Sequence, residues 1–584
     1  MTPRLPRLAR TAVIAALVPM SLLVGTACLL GPDDNAAIGF DAELIDLAEA
    51  RDTLFQIVND DSEPYGPVEI SVNRIETSAG APTSGPQLVL GPTEIPTLNP
   101  GDRRTIAATV IVPTGTPDDQ YHAFVQAEIP GAGTTATLEI RFTVLDNEVN
   151  ATVATLTITA PSSSLRQGDA TAFSIETFNA DGDAVEGARP RWSVIPSEGG
   201  FVDLNGRFVG YQPGTVRLVA EAGDGIDSVD VTIIERGLTG TFESVGQGLV
   251  TNRFTSDLWV HGSAAYTGTW SLRNTDQGVG AGNTLYAWDV SNPVTPLLTD
   301  SVRVDARTVN DVKVGPGGDL AVITHERSDD GANGITLLDL SDPLHPTVIT
   351  RFTSTLTTGV HNVWVEGDYV YLVVDGISPS SGLRILDIRN PAQPEIVAQF
   401  YGGSSFLHDV YVRDGLAFLS HWDAGLIILD VGNGIETGSP TDPVEVSRVR
   451  TSGGQTHNAW YWPDNGYVFV GEEDFGTPGI MHVVDVRDLR RPVEVATFRV
   501  PGDTPHNFWL DETNAVAYLG WYANGIRAID VQGDLLGHLE MQGREITNAV
   551  YNGGTTQTWA PQLHNGLLYL SDLRSGLVVM RLNN

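Results

Sequence analysis

The sequence has 584 residues, too many for one hydrophobic core, so we expect about two to four domains. Asp and Glu number 72 against 34 Lys and Arg, and the formal net charge of −38 opposes binding to nucleic-acid phosphates or anionic lipid headgroups. Charged residues make up only 18% of the chain, and short runs of Val, Thr and Ile alternate with Gly- and Pro-rich turns. This composition predicts an all-β protein.

The first residues have the anatomy of a bacterial export signal. Arg4, Arg7 and Arg10 give a basic start, residues 11–24 are apolar, and small residues precede Cys28. The apolar run is too short for an ordinary membrane-spanning helix. Cys28 is the only cysteine in the sequence, so an internal disulfide is excluded.

Residues 22–28, LLVGTAC, resemble the bacterial lipoprotein signal, in which the cysteine becomes the lipidated N-terminus after cleavage. Gly25 stands where that signal usually has Leu. The resemblance implies a signal peptide over residues 1–27, lipidation at Cys28 and an anchor linker over residues 28–39. It also implies export and attachment to the outer membrane or cell surface through the lipid alone. An ordinary signal peptide with an incidental cysteine is the alternative.

Two strand-rich segments follow the signal. Residues 40–146 alternate apolar and polar positions between turns rich in Gly, Pro, Asn and Asp, which is typical of an Ig-like β-sandwich. Residues 151–235 resemble a bacterial Ig-like domain of the second group, on the strand Trp192-Ser193-Val194, the turn at 203–208 and the strand at 229–233. We interpret both segments as spacers.

Residues 237–584 are dominated by internal repetition. Seven similar apolar strands recur about every 50 residues, which is the size of one β-propeller blade of four short strands. They are residues 285–290 (LYAWDV), 335–340 (ITLLDL), 383–388 (LRILDI), 426–431 (LIILDV), 480–486 (IMHVVDV), 526–531 (IRAIDV) and 577–582 (LVVMRL).

Residues 382–391 (GLRILDIRNP) and 425–431 (GLIILDV) closely resemble the LVIVD-repeat family. The resemblance implies a seven-bladed β-propeller over residues 237–584 and assigns no activity by itself. The predicted fold is therefore all-β, with two Ig-like β-sandwich domains followed by the propeller. The last unit ends after its third strand, and residues 238–245 look like an orphan outer strand. We predict that they pair with that last strand and close the ring.

Four of the seven units begin their inner strand with His followed by Asn or Asp: His361, His408, His457 and His506. In a propeller these strand starts lie beside the central axis on one face. The ends of the second strands return to that face, and at those positions the sequence has His325, Asp375, His421, Glu472, Trp521 and Asp572.

Imidazole and carboxylate ligands suit Cu, Zn or Fe. The six histidines are the candidate ligands of a transition metal at the propeller axis. Carboxylates would orient these ligands or bind a ligand themselves: Asp375, Asp409, Glu472 and Asp572. Two alternatives remain open. Each imidazole can bond backbone between neighbouring blades as a repeated structural device, or the histidines can bind an organic ligand.

Other candidates have structural interpretations. Trp364, Trp460, Trp462 and Trp509 follow the histidines and are expected to pack between blades. Residues 472–474, Glu-Glu-Asp, suit either a cation or a solvated loop. The sequence contains no nucleophile elbow, phosphate loop or metalloprotease helix motif, so no catalytic residue can be named.

Three functional hypotheses follow. The first is a cell-envelope lipoprotein whose propeller, displayed on the Ig-like spacers, binds a protein, glycan or small molecule. The alternative is a metal-dependent, oxidoreductase-like enzyme that uses the histidine-rich site. The third is an inert structural envelope protein. We expect a monomer, because a closed ring offers no spare sheet edge for assembly.

Overall fold

The computed structural model describes residues 38–583, except for segments 41–43, 48–51, 60–62, 84, 101, 114–115, 130–133, 145–146, 204, 273–281, 404, 452–454 and 475–478. Cys28 and the predicted signal peptide lie outside the described residues. Among the described helices, none is long and apolar enough to cross a membrane. The described chain is all-β, as predicted.

The first region consists of two sheets with the strand orders β1-β3-β7-β5 and β2-β9-β8-β4-β6. Apolar and polar residues alternate along these strands, as in Val68 to Ser71, so that one face of each sheet is buried. Phe55 and Ile106 of one sheet share a core with Val125 and Phe142 of the other. The strands are β1 (Gly39–Phe40), β2 (Leu44–Asp46), β3 (Asp52–Val58), β4 (Val68–Thr77), β5 (Gln87–Gly91), β6 (Glu94–Ile95), β7 (Arg103–Ile111), β8 (Asp119–Ile129) and β9 (Thr134–Val144).

A short helix, α1 (Asn147–Asn150), precedes the second region. Its sheets have the orders β10-β13, β11-β18-β17-β14 and β12-β16-β15, and Phe208, Leu218 and Val231 lie in its core. The strands are β10 (Thr155–Thr159), β11 (Ser164–Arg166), β12 (Ala170–Ala172), β13 (Ser174–Phe178), β14 (Arg191–Ile195), β15 (Gly200–Val202), β16 (Arg207–Gly210), β17 (Gly214–Ala222) and β18 (Gly225–Ile234).

The described part of residues 241–583 folds into seven sheets of four or five strands, each built mainly from consecutive antiparallel strands. The first sheet contains β20 (Arg253–His261), β21 (Ala264–Leu272), β22 (Thr284–Asp289) and β23 (Leu297–Arg303), and the second contains β24 (Val312–Val314), β25 (Leu320–His325), β26 (Gly334–Asp339) and β27 (Thr347–Phe352). The third sheet contains β28 (Val360–Glu366), β29 (Tyr369–Val374), β30 (Gly382–Asp387) and β31 (Glu395–Phe400), and the fourth contains β32 (Asp409–Arg413), β33 (Leu416–Ser420), β34 (Leu426–Asp430) and β35 (Val444–Val449).

The fifth sheet contains β36 (Thr456–Trp462), β37 (Tyr467–Glu472), β38 (Ile480–Asp485) and β39 (Val493–Arg499), extended by β43 (Gly537–His538). The sixth contains β40 (Phe508–Asp511), β41 (Val516–Gly520), β42 (Ile526–Asp530) and β44 (Glu545–Ala549). The seventh contains β45 (Thr558–His564), β46 (Leu567–Asp572) and β47 (Gly576–Asn583), with β19 (Thr241–Gly248) as its outer strand.

The seventh sheet joins the two ends of the repeat region. β19 runs antiparallel to β47, and Thr241 lies opposite Asn583. This confirms the predicted pairing of the segment before the first unit with the last strand.

The repeated apolar strands are the third strands of their sheets, and they are buried on both faces. In β30, Leu383 and Ile385 pack in a core shared with the fourth sheet, whereas Leu386 packs in a core that contains Leu337 of the second sheet. Because both faces contact a neighbouring sheet, these strands are nearly continuously apolar instead of alternating.

Hydrogen bonds connect the first strand of each sheet, or the residues just before it, to the next sheet in succession, and the seventh sheet to the first. The donors and acceptors are Asp257 N to Asn310 O (3.2 Å), Asn310 Nδ2 to His361 O (3.2 Å), Asn362 Nδ2 to His408 O (2.9 Å), His408 Nδ1 to His457 O (2.9 Å), Asn458 Nδ2 to His506 O (3.2 Å), Asn507 N to Trp559 O (3.1 Å) and Gln562 Nε2 to Val260 O (2.9 Å).

A buried arginine connects the second region to the sixth sheet. The side chain of Arg236 is 1% exposed and lies 2.6 Å from the Asp530 carboxylate and 2.8 Å from that of Asp169. The buried Arg544 donates to the carbonyl of Gly168 from the opposite side of the junction. The two regions therefore meet through a polar network and not through loose surface contact.

Candidate metal site between the first strands

The four predicted imidazoles lie in a row at the starts of the first strands of the third to sixth sheets. The ring centroids of His361 and His408 are 4.5 Å apart, those of His408 and His457 are 4.0 Å apart, and those of His457 and His506 are 4.3 Å apart. All four side chains are buried. Equivalent positions in successive repeats thus converge to form one cluster.

His408 and His506 are held as neutral imidazoles. Nδ1 of each donates to a backbone carbonyl of the next sheet at 2.9 Å, namely that of His457 and that of Trp559. Burial lowers the pKa of both rings, to about 3 for His506, and neighbouring imidazoles lower that of His408 further. A neutral ring that donates from Nδ1 keeps a lone pair on Nε2 for a ligand.

His361 has a different environment. Its Nδ1 lies 2.7 Å from Glu326 Oε1. Although burial opposes the charged ring, the Glu326 carboxylate raises the pKa of His361 to about 9. Its Nε2 is 3.0 Å from Nε2 of His408. The charged His361 ring donates from Nε2 to the neutral His408 ring, so a metal ion at Nε2 of His408 would displace this hydrogen bond.

His457 lies in the middle of the row with its side chain 1% exposed. Neither ring nitrogen has a hydrogen-bond partner among the described residues, and burial with the neighbouring rings holds its pKa well below the ordinary value. Its Nε2 is 3.6 Å from Oε2 of Glu473. Buried polar atoms are normally paired, and a metal ion at this nitrogen would supply the partner.

Glu473 completes a set of three potential ligands. Ligand atoms of His408, His457 and Glu473 all lie within 4.8 Å of one another. Glu473 also accepts a hydrogen bond from the Tyr522 hydroxyl, and its Oε1 lies 4.0 Å from Nε2 of His506. Two or three imidazoles with one carboxylate form a donor set suited to Zn, Cu or Fe.

Two aromatic residues with unusual backbone conformations flank the row. Trp422 and Tyr522 follow the second strands of their sheets and have φ values of 35° and 36°. Their rings lie 5.4 Å from that of His408 and 5.2 Å from that of His506, respectively. Bulky residues rarely adopt positive φ, and such strain is concentrated at functional sites.

Only some of the residues that were predicted to surround the four histidines lie near this cluster. Burial and the neighbouring Glu326 raise the pKa of Asp375 to about 8, while His361 partly opposes this shift. Asp409 faces a different cavity, lined also by Lys313. Asp375 is therefore adjacent to the row and Asp409 is directed away from it.

The remaining predicted residues contact their own sheets. His325 Nε2 lies 2.8 Å from Thr336 Oγ1, and burial lowers the pKa of His325 to about 3. The ring of His421 packs against Gly402, with a pKa lowered by burial to about 4. Glu472 pairs with His482 at 3.1 Å. Asp572 accepts hydrogen bonds from backbone N–H groups in the turns beside it, including those of residues 557 and 575.

Of the carboxylates of the cluster, Glu326 was not predicted, and Glu473 was predicted only as part of a possible cation site at residues 472–474. Glu326 and Glu473 each follow the residue that was named, His325 and Glu472, and Trp422 and Tyr522 follow His421 and Trp521. Successive side chains in extended backbone point in opposite directions, so a shift of one residue exchanges the two faces. The interpretation of residues 472–474 as a solvated loop is wrong, because all three are buried.

The described architecture defines a repeat-based all-β protein. A family model described as the LVIVD repeat matches residues 359–401 and 407–451. These two matches coincide with the third and fourth sheets, which contribute His361 and His408. No curated protein matches the chain.

Proposed function

We propose that the chain is an exported cell-envelope lipoprotein whose residues 237–584 form a seven-bladed β-propeller that binds a transition-metal ion at its axis. The observation that carries the proposal is the convergence of His408, His457 and Glu473, joined by His506. The imidazoles lie in contact, and the pKa shifts of these three histidines keep the rings neutral at neutral pH.

The propeller is supported by the succession of sheets. Seven sheets follow one another, each bonded to the next at its first strand, and a hydrogen bond between Gln562 and Val260 joins the last sheet to the first. The paired strands β19 and β47 support closure by the two ends of the region. Each LVIVD match spans one sheet, as expected if one repeat forms one blade.

The Ig-like spacers and the lipid anchor rest on other observations. The facing sheets over residues 39–144 and their shared core support a β-sandwich. The signal-like residues 1–27 and Cys28 support export and anchoring. The spacers would hold the propeller away from the membrane, where it binds a small molecule, glycan or protein as a monomer. The net charge of −38 argues against nucleic acid as a partner.

The enclosed position of the cluster favours a stabilising role for the ion. Metal sites closed by protein ligands are typically structural, whereas catalytic sites keep an open coordination position. All four imidazoles and Glu473 are buried. An ion held by ligands from consecutive sheets would fasten those sheets together and keep the binding module rigid.

The strained backbone at Trp422 and Tyr522 favours a second candidate, a metal-dependent oxidoreductase-like enzyme. In that case the Tyr522 hydroxyl, bonded to Glu473, would lie beside the metal as a proton donor. The identity of the ion separates the candidates, because Cu and Fe change oxidation state whereas Zn does not.

The test is the metal content of the purified full-length protein, measured by mass spectrometry after incubation with Zn, Cu or Fe and removal of excess ion. We expect about one ion per chain in the wild type and less than about a tenth of that in His457→Leu and Glu473→Gln. His345→Leu is the matched control, because His345 is an exposed histidine outside the cluster. A folded wild-type protein that retains none of the three ions would overturn the proposal.

A further inference from the structure

A closed ring of five aromatic side chains lies at a second position along the proposed axis. An aromatic residue lies three positions after each of the four clustered histidines, at residues 364, 411, 460 and 509, and the first sheet supplies Trp259. The centroid separations are 4.6 Å for Trp364 and Tyr411, 5.2 Å for Tyr411 and Trp460, 4.7 Å for Trp460 and Trp509, 6.2 Å for Trp509 and Trp259, and 6.0 Å for Trp259 and Trp364. We call these five residues the aromatic collar.

The aromatic collar lines a cavity of about 70 Å³. Trp259, Trp364, Trp460 and Trp509 are partly exposed, whereas the histidines at the other end of the same strands are buried. Three residues of extended strand span about 10 Å. Among the described residues, the axis is therefore open to solvent at the collar and enclosed at the histidines. Of the tryptophans predicted to pack between blades, Trp364, Trp460 and Trp509 form the wall of this opening, whereas Trp462 packs in the core between the fifth and sixth sheets.

The wall already holds one ammonium group. Lys313 Nζ lies 3.2 Å from Asp257 Oδ2, contacts Asp311 and sits 5.4 Å from the centroid of the Trp259 ring. Asp409 also lines the cavity, and its Oδ1 accepts from the N–H of Val410 at 2.7 Å. Burial raises the pKa of Asp257 to about 7 and that of Asp409 to about 8, so a cation in the cavity would favour the ionised form of both carboxyl groups.

We propose that the aromatic collar binds a second ammonium group, the end of an unbranched primary alkylamine such as a diamine. Indole and phenol faces attract cations, and in the described chain the only cation–π contact of the collar is that of Lys313 with Trp259. An ionised carboxylate that is shielded from water is costly, so a second cation beside Asp409 would stabilise its charged form.

The cavity has room for a short alkyl chain. A water molecule needs about 10–15 Å³ of such space, so 70 Å³ admits an ammonium with a few methylene groups. The closed ring of aromatic side chains around it favours a slender, unbranched chain over a branched or cyclic body. The rest of an unbranched chain would extend through the open side into solvent. The same ammonium could come from a free diamine or from a lysine side chain of another protein. We expect the free diamine, and the test distinguishes the two sources.

The test is calorimetric titration of the purified full-length protein with 1,5-diaminopentane, tetramethylammonium, methyl glucoside and N-acetyl-lysine amide. We expect saturable binding of the diamine, a change in tryptophan fluorescence, and binding at least tenfold weaker for the two bulky compounds. Lysine amide that binds as tightly as the diamine would identify a lysine side chain as the source. No binding of either amine, or tighter binding of tetramethylammonium or the glucoside, would overturn the proposal.

Two variants test the site and two matched controls test its specificity. Asp409→Asn keeps the shape and removes the charge, and Trp460→Leu opens the collar, so each should weaken diamine binding at least tenfold. Asp414→Asn and Trp192→Leu change an exposed Asp and a Trp of the second region and should leave the affinity unchanged. Unchanged affinity in Asp409→Asn, with an unchanged thermal melt, would also overturn the proposal. Diamine binding should persist after a chelator has removed any bound metal. The diamine site and the metal site are therefore tested independently of each other.

Discussion

The pKa of a buried histidine in the repeat region is raised or lowered according to whether a carboxylate lies beside it. His482 lies 3.1 Å from both the Glu472 and the Glu494 carboxylates. Burial alone would disfavour its charged form, but Glu494 and Glu472 together raise the pKa of His482 to about 9. His325 has no such carboxylate in hydrogen-bond contact and its pKa falls to about 3. One ring is therefore charged and the other neutral at neutral pH.

His482 should make folding stability fall as pH rises above neutrality. Between its ordinary pKa of about 6.5 and about 9, the folded state keeps a proton that the unfolded chain has lost. The stabilisation is complete below about pH 6.5 and lost as pH rises through 9. In His482→Gln, the decrease in unfolding free energy between pH 6.5 and 9.5, measured in urea, should be smaller than in the wild type. His345→Gln, at an exposed position, should match the wild type, and equal slopes in all three proteins would contradict this account.

At the scale of the residue, the four histidines could be predicted because they recur at equivalent positions of the repeats. Glu326 was not predicted, and Glu473 was predicted only as part of a possible cation site at residues 472–474. Repetition identifies equivalent positions and does not say which face of the backbone each side chain takes near a strand end. The turn at Trp422 and Tyr522 has positive φ, a conformation that these residue types do not predict. The choice of face, and with it the carboxylate ligand, therefore required the structure.

The element that joins neighbouring sheets is the dipeptide at the start of the first strand. In His361-Asn362, Nδ2 of Asn362 donates to the carbonyl of His408 at 2.9 Å and its Oδ1 accepts from Asn310. The predicted alternative of bonds from each imidazole to backbone between blades is observed for His408 and His506. These rings combine both interpretations, since Nδ1 of each bonds the neighbouring sheet while Nε2 faces the cluster, 3.0 Å from His361 Nε2 for His408 and 4.0 Å from Glu473 Oε1 for His506.

Asn362→Ala should destabilise the protein by about 1–3 kcal/mol, because it leaves the buried carbonyl of His408 without its partner. Asn390→Ala is the control, since Asn390 makes its backbone hydrogen bond in an exposed turn. The comparison is between unfolding free energies from urea titration. A destabilisation of Asn362→Ala no larger than that of the control would show that the amide does not hold the sheets together.

At the scale of the whole molecule, the strand order of the repeat region and its terminal pairing could be predicted from the sequence. The reason is that each repeat contains the same recognisable succession of strands. The junction between the second region and the sixth sheet did not. It depends on Arg236 reaching Asp530, 294 residues away, and no local pattern indicates such a contact. Arg236 at this boundary is among the most buried cations of the described chain.

Arg236→Met should destabilise this junction by about 3–5 kcal/mol, since it leaves the carboxylate of Asp530 buried without its partner. We expect faster cleavage by protease near residues 235–240 and a lower melting temperature. Arg217→Met is the control, because the Arg217–Asp230 pair is more than half exposed and such pairs contribute about 0–1 kcal/mol. Equal protease sensitivity in the two variants would contradict a structural role for Arg236.

The pairing of β19 with β47 also sets the order of events during synthesis. Glu243 and its partner Arg581 are 338 residues apart, so at about 5–20 residues per second β19 leaves the ribosome roughly 20–70 seconds before its partner exists. For that interval its hydrogen-bonding edge is unpaired and can recruit other chains. The edge of β19 therefore stays open until β47 has been synthesised, and a stop codon before β47 would leave it permanently open.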